Sequence, residues 1–178
     1  VKESLSKVES IMGTKFGDPS NPLLLSVRSG ARQSMPGMME TVLNLGLTSD
    51  TIPGLIDKTN NPRFVYDAYR RLITMYSDVV MEKAAGIEPE EGDGIRQKLE
   101  HHLDSYKSKN GLEGDTDLSE DDWKKVIDIF KSEIKSSLGA EFPDNAEAQL
   151  WGGIEAVFKS WNGARAVSYT HLTLPTTS

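Results

Sequence analysis

Arg28 is the first residue placed to do chemistry. It closes the apolar run Leu23-Leu24-Leu25-Ser26-Val27 and opens an irregular stretch. Residues 26–39, SVRSGARQSMPGMM, hold two arginines, two glycines, one proline, three serines and three methionines. A glycine-rich turn lets backbone N–H groups approach a phosphate closely, and an arginine adds a fixed fork of donors for its oxygens. A position directly after a strand is where α/β folds tend to place ligand contacts. The alternative is plainer: Arg28 and Arg32 are surface charges, and the glycines merely turn the chain. The residues alone leave both open. The stretch lacks the Gly-Lys-Ser/Thr ending of a P-loop and is not GxGxxG. Met35, Met38 and Met39 read as packing residues.

Other candidates are weaker. His101 and His102 are neighbours on an expected helix, so they point about 100° apart and cannot both face one metal. The acidic segment Glu113-Gly114-Asp115-Thr116-Asp117 invites a calcium reading and fails it. Counted from Asp115, the position needing glycine is Glu120 and the position needing a bidentate glutamate is Val126. Arg70-Arg71 reads as a solvated pair, with Arg71 as the member able to reach a ligand. No cysteine is present, which removes thiolate nucleophiles, disulfides and Cys-ligated zinc. No Ser–His–Asp arrangement is visible.

The elements that must hold these residues follow from periodicity. Leu5, Val8, Ile11 and Met12 predict an amphipathic helix over 2–12. Residues 13–22 are a Gly/Pro/Asp/Asn loop. Residues 23–27 predict a buried strand, and 41–47 a second one. Asn61-Pro62 is a helix start, with Asn as N-cap and Pro at the first helical position. Val65, Tyr69, Leu72, Tyr76 and Val79 carry that helix over 62–84. A helix over 95–106 follows. Ser119-Glu120-Asp121-Asp122 caps another, whose apolar face is Trp123, Val126, Ile127, Phe130 and Ile134. Asp144-Asn145-Ala146-Glu147 reads as a capping box ahead of a helix bearing Leu150, Ile154, Val157, Phe158 and Trp161. The aromatics Tyr66, Tyr69, Tyr76, Trp123 and Trp161 are expected to pack between helices.

The 178 residues carry a net charge of -7, which argues against nucleic acid as a main partner. The acid is uneven: 83–147 holds 9 basic against 17 acidic residues, while 21–82 holds 6 of each. The loop around Arg28 is therefore locally basic. No apolar run approaches about 18 residues, so no membrane span is expected. The opening Val1-Lys2-Glu3-Ser4 starts mid-pattern without an initiator methionine or a signal peptide, which predicts a cytoplasmic chain and a piece of a longer one.

Three segments carry a family resemblance: FGDPSNPLLLSVRSGARQSMPGMMETVLNLGL, NPRFVYDAYRRLITMYSDVV and FPDNAEAQLWGGIEAVFKSWNGARA. Together they resemble the nucleotide-binding domain of the pyruvate, phosphate dikinases over roughly 1–166. The Gly-Ala-Arg and Ser-Met-Pro-Gly-Met-Met continuation separates this pattern from the related phosphoenolpyruvate synthases. Gln33, Glu40 and Gly163-Ala164 are mild departures from it.

The resemblance implies an α+β fold, an incomplete ATP-grasp-like domain with a mainly helical subdomain. The expected division is 1–47 for the partial ATP-grasp part with its phosphate-contacting loop and 48–140 for the helical part. A return helix over 141–166 follows. It implies ATP as ligand. Arg28 matches an arginine contacting ATP phosphates, Gly37 a glycine of the loop over the nucleotide, and Arg71 a helical arginine near the site. It also implies magnesium held by carboxylates outside this chain, a phosphohistidine domain and pyruvate barrel elsewhere in the parent, and a homodimeric parent. The chain alone is expected to be inactive and marginally folded. Residues 167–178 leave the pattern and resemble a translated sequencing adapter, so His171 is given no role. Two other classes stay in view: a stand-alone nucleotide-binding module and a helical interaction module without catalysis.

Overall fold

The structure is a computed structural model that describes residues 1–29 and 41–162. Gly37, most of the loop after Arg28 and the 167–178 tail lie outside the described residues.

The chain is α+β and mainly helical. Helix α1 (Lys2–Met12) ends at Gly13, whose φ of 63° supplies a left-handed cap. Strands β1 (Lys15–Phe16) and β2 (Pro22–Leu23) pair in parallel, and β3 (Leu25–Arg28) pairs antiparallel with β4 (Thr41–Leu45). The expected strand over 23–27 is thus two short strands in two sheets, parted at Leu24. In the second sheet Val27 faces Val42 and Arg28 faces Thr41, with an irregularity between Leu25 and Val27. β4 stops two residues short of the expected 47, because Asn44 (φ 58°) and Gly46 (φ 97°) turn the backbone into the left-handed region.

Helix α2 (Ile52–Thr59), with Pro53 in its first turn, was not expected from the sequence. Proline in fact suits the first helical turn. Gly54 is needed there because a Cβ would collide with the Pro19 carbonyl oxygen. Helix α3 (Pro62–Tyr76) starts as expected: Asn61 accepts from the Phe64 N–H at 3.1 Å. The single helix expected over 62–84 then changes character, becoming π-helical from Ser77–Lys83.

Helix α4 (Ile95–Asn110) outruns its expected end at 106 and stops at Gly111. A 3-10 turn (Asp115–Asp117) leads to α5 (Glu120–Leu138), where Ser119 and Asp122 form the reciprocal cap. Helix α6 (Ala146–Ser160) is capped by Asn145, which accepts from the Ala148 N–H at 2.9 Å. The expected capping box is therefore only a single cap, and Asp144 turns elsewhere.

The core is continuous. Val42 and Leu45 of β4 meet Tyr69, Leu72 and Ile73 of α3, and these meet Leu99, Trp123, Phe130 and Ile134 of the other helices. α6 lies on β3 and β4. Gly153 allows that approach, since a Cβ there would sit 3.0 Å from Leu45 Cδ1. Gln149, fully buried, ties the two together. It accepts from the Gly46 N–H at 2.9 Å and donates to the Leu47 and Pro143 carbonyls at 3.1 and 3.0 Å. Its polar atoms are thus satisfied in a setting where an orphan would be costly. One expected packing residue is elsewhere: Trp161 is 43% exposed, edge-on to the exposed Phe158 with ring centroids 4.9 Å apart.

Candidate functional site

Alternation along β3 turns Leu25 and Val27 toward the core and leaves Ser26 and Arg28 exposed. Arg28 is thus the last residue of its strand, presented to solvent beside Thr41 of β4. Two residues further along β4, Leu43 is 46% exposed. Leu43 lines a cavity of about 300 Å³ shared with Arg70, Arg71 and Met75 of α3 and Arg96 and Glu100 of α4. The floor is apolar, formed by Leu103 and Phe130. Arg71 therefore faces this cavity, while Arg28 lies along the same strand pair and is not among its lining residues.

The two adjacent arginines of α3 behave differently. The Arg70 side chain is only 13% exposed. Its guanidinium lies over the Trp123 ring, 4.8 Å from the centroid. Its Nη2 donates to Asp67 at 2.7 Å and to Asp115 at 3.0 Å. The expected solvated pair is thus one interior arginine and one exposed arginine. Arg71 is 64% exposed and donates through Nε and Nη2 to Asp67 Oδ2 at 3.1 and 3.0 Å. Asp67 serves both arginines, one through each carboxylate oxygen.

Arg96 is the residue that sequence reasoning missed. It sits at the start of α4 with no motif around it. Only the approach of α3 and β4 makes it a wall of the cavity. Its Nε and Nη2 donate to Asp78 Oδ2 at 2.9 and 2.8 Å.

A second cavity, about 420 Å³, lies between α1 and the start of α6, with Lys2, Asp50, Asp144 and Glu147 among its lining residues. Three carboxylates against one lysine disfavour an anion there, so the arginine-lined cavity is the better phosphate candidate. Asp144 is the junction of that region. It accepts from the Tyr69 hydroxyl at 2.7 Å, the Ser49 N–H at 2.8 Å, the Ser49 hydroxyl and Lys131 Nζ at 3.3 Å. Burial pushes its carboxyl up, but the Ser49 and Tyr69 donors and the Lys131 charge outweigh that and hold it below the usual value. Burial and the Asp144 contact together raise Tyr69, which stays protonated and donating.

Magnesium has no fitting donor set among the described residues: no group of three His, Asp or Glu is placed to hold a metal ion. The acidic 3-10 turn is already committed. Asp115 receives Arg70 and Lys107, and Asp117 receives the Glu113 and Gly114 N–H groups. His102 meets Glu133 at 2.9 Å rather than His101. No described helix is long and apolar enough to cross a membrane.

The fold is a small α+β domain with an arginine-lined cavity between β4, α3 and α4. Residues 1–173 match the family model described as pyruvate phosphate dikinase, AMP/ATP-binding domain, and the chain belongs to that family. It is 46% identical over 171 residues to pyruvate, phosphate dikinase of Clostridium symbiosum, covering 96% of this chain and 18% of that protein. It is 48% identical over 172 residues to the Rhizobium meliloti (strain 1021) protein of the same name, covering 97% of this chain and 18% of that one. The chloroplastic pyruvate, phosphate dikinase 1 of Arabidopsis thaliana is 46% identical over 170 residues, 95% of this chain and 16% of that protein. The chain thus spans under a fifth of the length of these relatives.

Proposed function

We propose that this chain supplies part of the ATP site of a pyruvate, phosphate dikinase. The reaction interconverts pyruvate, ATP and phosphate with phosphoenolpyruvate, AMP and pyrophosphate. The observation that supports the reading most is Arg28, exposed at the end of β3 within a chain that matches an AMP/ATP-binding family over residues 1–173. Phosphoryl transfer asks for positioned positive charge more than for covalent chemistry from the protein. Arg28 offers the ATP phosphates its fork of N–H donors, and Arg71 offers a second from α3, held at its rear by Asp67. Gly37 belongs to the loop over the nucleotide in this reading.

The domain is the phosphate-facing portion of an ATP-grasp-like fold, with 1–47 carrying Arg28 and the helical part over 48–140 carrying Arg71. The acceptor histidine, the magnesium ligands and the pyruvate site belong to other parts of a cytoplasmic, homodimeric parent. The chain by itself carries no turnover.

Calorimetric titration of the chain with ATP tests this. Arg28→Ala should weaken ATP about tenfold, the scale of one charge-assisted contact. An unchanged affinity refutes the site. Conversion of pyruvate to phosphoenolpyruvate by the purified chain refutes the claim of inactivity.

A further inference from the structure

We propose that Arg96 is a second anion-contacting residue beside Arg71, and that the group it meets is the polyphosphate of a nucleotide. This rests on the reading of Arg71 above and extends it to a residue on another helix.

Both arginines are held in the same way. Asp67 takes Nε and Nη2 of Arg71, and Asp78 takes Nε and Nη2 of Arg96. Nη1 of each has no protein partner among the described residues. Both line the one cavity of about 300 Å³, at the small end of the range for ligand pockets. Both side chains are partly open to solvent, Arg71 at 64% and Arg96 at 43%. The apolar floor of Leu103 and Phe130 keeps water from competing on one side, which strengthens a charge-assisted hydrogen bond.

The hold on Arg96 is itself built in. Asp78 is 4% exposed and Glu82 is 5% exposed, and both sit in the π-helical segment. Asp78 takes the guanidinium. Glu82 accepts the Ile95 N–H at 2.7 Å and so fixes the first residue of α4, immediately before Arg96. These two carboxylates, four residues apart, share one face of their helix and both reach the start of α4.

The aspartates stand behind the arginines, so the pocket presents directed donors more than excess charge. Arginine suits that arrangement because its planar fork keeps donors free after one edge is paired. Arg70 lies deeper, with a buried Nε that has no hydrogen-bond partner. Against these, Glu100 is the one carboxylate among the lining residues.

The test is titration of the full 178-residue chain with ATP, inorganic pyrophosphate and AMP in separate experiments, with urea midpoints measured alongside. Arg96→Ala should weaken ATP and pyrophosphate about tenfold and AMP far less, while Arg96→Lys recovers part of the loss. Glu100→Gln should tighten pyrophosphate about threefold, because it removes the one carboxylate lining the cavity. Should Arg96→Ala fail to fold, Arg96→Gln, which retains a donor toward Asp78, takes its place with the same expected loss. If the Arg96 variants bind ATP and pyrophosphate as the parent chain does while Arg28→Ala weakens ATP, the assignment of Arg96 is wrong and the reading of the ATP site stands. If the parent chain binds neither ATP nor pyrophosphate, both fall. An unchanged pyrophosphate affinity in Glu100→Gln also counts against Arg96.

Discussion

Replacing Asp144 with Ala should destabilise the chain by about 3 kcal/mol. From just ahead of α6, the carboxylate reaches α3, α5 and the segment ahead of α2 through Tyr69, Lys131 and Ser49. A hydrogen bond to a charged group contributes about 1.5–3 kcal/mol, and an orphaned buried hydroxyl costs a similar amount. Tyr69 is 1% exposed, so its hydroxyl has little access to replacement water. Ser49 is exposed and recovers most of its loss from solvent. The Lys131 pair, with side chains 30% and 33% exposed, adds about 0–1 kcal/mol. The Tyr69 contact therefore dominates. With a urea slope of about 2 kcal/mol/M, the midpoint drops by about 1.5 M.

The fluorescence of Trp123, fully buried, follows the transition. pH supplies a second check. The folded pKa of Asp144 lies below its unfolded value of about 3.8. Its charge-dependent contribution is therefore complete well above pH 3.8 and is lost as pH falls through the lower folded value. The gap between the parent chain and Asp144→Ala should be widest near neutrality and narrow in acid. A loss under about 1 kcal/mol, or a gap that stays constant into acid, refutes the reasoning.

Other perturbations are more local. Arg70→Ala should cost about 3 kcal/mol by urea unfolding, because it strips the Trp123 face and leaves Asp67 and Asp115 short of a buried cation. Gly54→Ala should cost about 2–3 kcal/mol, since the new Cβ meets the Pro19 carbonyl, a backbone atom that cannot swing aside. Gln149→Ala should cost about 2–3 kcal/mol by orphaning the Gly46 N–H and two carbonyls. Lys2→Ala should change stability by less than about 0.5 kcal/mol, because its pair with Glu147 is 78% and 62% exposed.

What could be read from sequence was what local chemistry decides. Asn61-Pro62 and Ser119 to Asp122 announce helix starts because caps act within one turn. Helices α3 and α5 show their buried faces through period alone, whereas Ile11, Met12 and Phe158 of the stripes read for α1 and α6 are exposed. The π-helical segment stayed hidden because Val79 fits the apolar stripe whether the turn is α or π. Asp144 and Asn145 are both good caps, and only Ser49 and Tyr69, far away in sequence, show which one is spare. The same holds at the site. Arg28 is legible because it follows a strand. Which of Arg70 and Arg71 goes inside depends on Trp123 and Asp115, more than forty positions further along the chain. Arg96 joins the cavity through helix packing that no local pattern reports.

The bond between Gln149 and Gly46 spans 103 residues of chain. During synthesis at about 5–20 residues per second, β4 leaves the ribosome roughly 5–20 s before α6 can cover it. Through that interval β4 has α3 against it but the β3–β4 pair lacks α6 on its other side, and a two-stranded ribbon by itself is marginal in water. The strand that presents Arg28 is thus among the last parts of the domain to become secure, although it is among the first to be made. A nascent chain halted before residue 149 would present that ribbon to chaperones while its α3–α5 helices were already packed.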